Sequence, residues 1–117
     1  MVTQQQVREL ALELPEVEEA ISWRQPCFKV RGKTFAGLTS REKGAFWVKC
    51  DPDERPLLVA SRPDVYYLTP HFEASPGYLL VRYDTAEVDD VRERLSDAWL
   101  LAAPKRLAAA WSEPPDE

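Results

Sequence analysis

The sequence predicts a single α+β domain, an antiparallel sheet with N-terminal and C-terminal helices packed on it, and three observations lead there. Apolar residues recur at helical spacing near both ends of the chain and alternate with a period of two through its middle. Glycine-containing turns separate the alternating runs, as hairpins require. The 117 residues, 44% of them hydrophobic, suffice for one core, and no internal repeat or linker marks a second domain.

Taken in order, Thr3 and Gln6 have the spacing of a capping box, and Val7, Leu10, Ala11 and Leu14 form one apolar stripe until Pro15 ends it. The period then changes to two, predicting a weak strand over residues 20–23 and strands over 27–31, 34–39 and 45–50. Gly32-Lys33 can fill a two-residue type II′ turn, which would set Arg31 opposite Thr34, Val30 opposite Phe35 and Lys29 opposite Ala36. Phe28, Val30 and Phe35 would face the core. Residues 40–44 form the next turn, after which Phe46, Val48 and Cys50 point inward and Trp47 and Lys49 outward. Lys29, Arg31, Trp47 and Lys49 therefore share one expected surface.

Asp51 and Glu54 repeat the capping-box spacing with Pro52 at the first helical position, so a short helix carrying Leu57, Leu58 and Ala60 should end before Pro63. Residues 65–72 read as irregular, and 78–83 as a strand after the Ser75-Pro76-Gly77 turn. Asp84 and Glu87 cap a final long helix whose stripe is Val88, Val91, Leu95, Ala98 and Trp99, with Asp89, Asp90, Arg92, Glu93, Arg94 and Asp97 opposite. Pro104 interrupts it, residues 107–111 add a last turn or two, and 112–117 read as a disordered acidic tail after a domain of residues 1–111.

Several chemistries find no support. No run reaches the roughly 18 apolar residues of a membrane-spanning helix and no secretory leader is visible, so a cytoplasmic protein without a membrane partner is expected. Cys27 and Cys50 lack CxxC spacing and read as buried free thiols. One histidine, His71, with two separated cysteines makes a poor zinc set and no recognisable triad, and four glycines write neither a P-loop nor a dinucleotide fingerprint. The expectation is a non-enzyme with no metal and no cofactor.

Charge is the remaining signal. The total of −5 is unlike a generic nucleic-acid-binding domain, yet the stretch from Ser22 to Cys50 holds Arg24, Lys29, Arg31, Lys33, Arg41, Lys43 and Lys49 against Glu42 alone. That stretch carries +6, leaving −11 for the rest. Such asymmetry suits an anionic partner, with Trp47 available to stack. The same pattern also suits the polar outer face that an antiparallel sheet needs, and the meeting of basic and acidic faces in self-association.

Three stretches together resemble the MmcQ/YjbR family: the opening helix leading to Leu14-Pro15-Glu16-Val17-Glu18-Glu19 and then residues 26–36; Thr69-Pro70-His71-Phe72 followed by a glycine turn and Tyr78-Leu79-Leu80-Val81; and residues 95–107 with their basic ending. The resemblance covers nearly the whole chain and implies a two-layer, YjbR-like α+β fold. Its members are described as DNA-binding through a double-wing arrangement. Carried over, it implies that DNA is contacted by the Lys29 to Phe35 hairpin and the Arg41 and Lys43 turn, the contact set being Lys29, Arg31, Lys33, Arg41, Lys43, Trp47 and Lys49. A second expectation is a protein-interaction or small-ligand module in which Tyr66, Tyr67, His71, Phe72 and Tyr78 form an aromatic pocket.

Overall fold

The first helix starts where its cap begins. In the computed structural model, which describes residues 2–22 and 24–111, Thr3 accepts from the Gln6 amide while Gln6 reaches back to the Thr3 amide, and α1 runs Gln4–Leu12. Trp23 and the acidic tail read from the sequence lie outside the described residues. Strands β1 (Val17–Ser22), β2 (Gln25–Val30), β3 (Lys33–Leu38) and β4 (Ala45–Lys49) follow as consecutive antiparallel neighbours. Then come α2 (Arg55–Ser61), β5 (Tyr66–Tyr67), α3 (Pro70–Glu73), β6 (Tyr78–Arg82), α4 (Val88–Ala102) and α5 (Lys105–Ala110). The sheet order is β1-β2-β3-β4-β6-β5, so the chain crosses from β4 to the far edge before β6 fills the gap.

Helices α1 and α4 cover one face of this sheet. Phe28, Val30, Phe35, Phe46, Val48, Leu79 and Val81 point into that layer and meet Val7, Val91, Leu95, Ala98 and Trp99. The Trp99 indole N–H donates to the Pro15 carbonyl at 3.0 Å, tying α4 to the turn after α1. The expected α+β fold, an antiparallel sheet with both end helices packed on it, is what the chain forms.

Five local expectations are corrected. The β2–β3 turn is Arg31-Gly32 rather than Gly32-Lys33: both residues have positive φ (50° and 82°), the requirement of a type I′ turn. Val30 thus pairs Lys33 and Lys29 pairs Thr34; a bulge then sets Phe28 opposite Ala36 and sends Phe35 and Ala36 to the core side in succession. Helix α2 runs from Arg55, three residues later than expected, although the Asp51 carboxylate accepts from the Asp53 amide at 2.9 Å, as a capping residue does, and the Arg55 amide donates to the Asp51 carbonyl at 3.1 Å. The stretch read as irregular contains β5 and α3. Finally, the Glu87 side chain, with Asp90, caps α4, and Arg94, expected on its solvated face, is buried. Lying three residues after Val91 and four before Ala98, Arg94 flanks the apolar stripe, and its Nη2 donates to Asp97 (2.9 Å) and Glu93 (3.1 Å).

A candidate nucleic-acid interface on the open face of the sheet

The face opposite α1 and α4 is where the expected basic surface should lie. Strand alternation places Lys29, Trp47, Lys49, Tyr67, Tyr78, Leu80 and Arg82 on it. This face is not a uniformly solvated one. Leu80 and Cys27 are buried there, the Arg82 guanidinium sits 3.8 Å from the Tyr67 ring centre, and α3 brings His71 and Phe72 to its border.

Trp47 is the centre of this surface. Its cross-strand neighbour is Gly37, and a Cβ at Gly37 would come within 2.5–2.6 Å of the indole. The missing side chain is therefore what lets the ring lie down on β3. Tyr78 meets the ring edge-on at 5.6 Å between centroids, which fixes the other side. The indole N–H makes no hydrogen bond to a described residue.

Beside Trp47 opens a cleft of about 410 Å³ whose lining includes Cys27, Trp47, His71, Phe72, Arg41, Thr39 and Ser40. His71 and Phe72 pack edge to face at 5.2 Å. The wall they form is held by Arg55, whose Nη1 donates to the carbonyls of Phe72 (2.9 Å), Ser75 (2.9 Å) and Tyr78 (3.1 Å). One guanidinium thus fastens the α3 loop to the sheet.

The basic residues divide into two groups. Because β3 is antiparallel to both neighbours, the turns before and after it lie at opposite ends of the sheet, about 20 Å apart for a six-residue strand. The β2–β3 end holds Lys29, Arg31, Lys33 and, at the end of β4, Lys49. Arg31 is engaged there: its Nε and Nη2 both donate to the Glu16 carboxylate, and this holds the Glu16 carboxyl below the usual carboxylate range. Lys29 lies opposite Glu18 in the neighbouring strand.

The other end gathers the β1–β2 and β3–β4 turns, joined by a hydrogen bond from Gln25 Nε2 to Ser40 Oγ at 3.1 Å. Arg24, Arg41 and Lys43 are exposed on these turns, and none is ion-paired with a described residue. Glu42, the acidic residue between them, is occupied: it accepts from the Tyr67 hydroxyl at 2.7 Å. Burial, reinforced by that hydrogen bond, pushes the Tyr67 phenol well above its ordinary range. Three cations against the one Glu42 carboxylate leave these two turns net basic, with the Asp84 carboxylate against Gly44 at their edge.

The two residue sets expected from the sequence are thus partly merged and partly split. The cleft takes Arg41 and Trp47 from one and His71 and Phe72 from the other. Tyr66 points to the core side, where its ring centre lies 5.9 Å from the Arg94 guanidinium, while Tyr67 and Tyr78 stay on the open face. Arg24 and Cys27 were not among the expected site residues. Parity with Lys29 would have placed Cys27 on this face, but the approach of α3 has no signature in the sequence.

Among the described residues, no group of three or more His, Cys, Asp or Glu side chains is placed to hold a metal ion, and no helix is long and apolar enough to cross a membrane. Both thiols are free and buried; Cys27 faces the cleft and Cys50 the core, where burial pushes its thiol above the ordinary range.

Residues 12–101 match the family model described as YjbR. Proteins of Mycobacterium tuberculosis and Mycobacterium bovis, each described only as uncharacterized, are 46% identical to this chain over 54 residues, a stretch covering 46% of this chain and 41% of theirs. The match spans about two fifths of those relatives' length. The crystal structure of a Deinococcus radiodurans protein with a domain described as DUF419 superposes with a TM-score of 0.70 over 86% of this chain and 78% of that one, at 21% identity. At that identity the likeness establishes the fold.

Proposed function

Since the chain belongs to the YjbR family, we propose that it is a non-catalytic, cytoplasmic DNA-binding protein whose phosphate contacts are made at the turn end of the sheet. The observation that carries this reading is the Gln25–Ser40 hydrogen bond, which joins the two turns that bear Arg24, Arg41 and Lys43, three exposed cations with no ion pair to a described residue. Three exposed cations on adjoining turns suit a phosphate backbone, because each neutralised phosphate releases counterions. Phosphate contacts position a protein on DNA without specifying sequence, so modest sequence preference is expected. On the hairpin between β2 and β3, Arg31 already holds Glu16, which leaves Lys33 as its exposed cation without an ion pair to a described residue.

The cleft favours a second reading, a small aromatic ligand taken between Trp47, His71 and Phe72 without any nucleic acid. Salt separates the two. Fluorescence-anisotropy titration of duplex oligonucleotide at two salt concentrations should show affinity falling steeply with salt in the wild type, and the Arg24→Glu, Arg41→Glu, Lys43→Glu variant should lose most of it. Absence of binding at low salt would sink the DNA reading and leave the ligand cleft.

A further inference from the structure

We infer that the aromatic cleft receives one unpaired base of the bound nucleic acid, so that the protein prefers DNA carrying an extrahelical or single-stranded nucleotide over a fully paired duplex. This deepens the DNA-binding reading and rests on it. A paired duplex offers phosphates and groove edges, for which three cations on two turns suffice; it offers nothing that could enter a cleft. The cleft's volume of about 410 Å³ is enough to admit one base.

Its chemistry is that of a base site. Trp47 and Phe72 line it, and stacking on aromatic side chains is tolerant of base identity. The Trp47 indole N–H, without a partner among described residues, is a donor for a base carbonyl, and the Thr39 and Ser40 hydroxyls, which accept from the Arg41 amide and Gln25 Nε2, keep their own O–H to donate. Arg41 lines the same cleft, so one side chain joins the base pocket to the phosphate-binding turns. The pocket is also fixed before any ligand arrives: Gly37 and Tyr78 immobilise Trp47, and Arg55 fastens the α3 wall. A preorganised pocket avoids the ordering cost that weakens a mobile one.

The test compares two fluorescein-labelled duplexes, one fully paired and one with a single extrahelical thymidine, against the wild type and the Phe72→Ala and Trp47→Leu variants, each checked for folding by circular dichroism. The wild type should bind the bulged duplex about tenfold more tightly, and both variants should lose that preference while keeping their affinity for the paired duplex. Equal affinity for the two duplexes in the wild type would overturn the base pocket and leave the DNA reading standing. No binding to either duplex at low salt would overturn both.

Discussion

The effect of Gly37→Ala on stability should change sign with the residue across from it. The added Cβ would lie 2.5, 2.6 and 2.6 Å from Cζ2, Cε2 and Nε1 of Trp47, where ordinary carbon contacts are about 3.5–4.0 Å. The ring would have to move by roughly 1 Å against Tyr78, a kind of overpacking that costs about 1–3 kcal/mol. The Gly37 backbone is not in the left-handed region, so with the ring removed the same substitution should act through the unfolded chain and stabilise by about 0.4–1 kcal/mol. Gly37→Ala is therefore expected to destabilise the wild type and stabilise the Trp47→Ala variant, with a coupling of at least about 1.5 kcal/mol. Urea denaturation followed by far-UV circular dichroism reads all four corners of the cycle. Equal effects of Gly37→Ala in both backgrounds, within about 0.5 kcal/mol, would refute the packing of Trp47 on β3 on which the cleft depends.

Arg55→Ala should release the α3 wall, leaving three carbonyls without their charged donor at a cost of roughly 2–3 kcal/mol, with amide exchange rising across residues 72–78 in mass spectrometry. Trp99→Ala, at a fully buried position, should cost about 3–5 kcal/mol in the urea midpoint analysis. The raised Tyr67 phenol predicts a pH effect: its proton is held more tightly in the folded state, so its contribution is fully present below the unfolded tyrosine value of about 10 and is lost as pH rises beyond it. Stability above about pH 10 should therefore fall less steeply in Tyr67→Phe than in the wild type, as followed by denaturation at a series of alkaline pH values.

Helices α1 and α4 and the faces of β2 and β4 were legible because their signals are local. Thr3 and Gln6 lie three residues apart, Trp47 and Lys49 alternate with Phe46 and Val48, and the α4 stripe repeats at helical spacing. The hairpin register was not, because a lone glycine in a turn fits either central position, and the bulge at Phe35 follows from sheet twist and core filling rather than from any residue type. Arg94 shows the limit of polarity as a guide: its long side chain is buried at the edge of a stripe with Asp97 and Glu93 accepting hydrogen bonds from its Nη2, even though its Nε has no partner among the described residues. The site was half visible. Charge asymmetry pointed to residues 22–50, but which cations share an end of the sheet depends on strand order, and which aromatics share a cleft depends on where α3 docks. Arg31 and Arg41 look alike in sequence; Glu16 neutralises one, while Arg41 has no ion-pair partner among the described residues.

The most direct measurement is a map of amide and indole chemical-shift changes in the isotope-labelled protein as a short DNA duplex is added at low salt. The account predicts that the shifts concentrate at Arg24 and residues 40–44 and fade as salt is raised, with the Trp47 indole N–H and residues 29–33 scarcely affected. Shifts centred on the Arg31–Gly32 turn, or none at all, would contradict it.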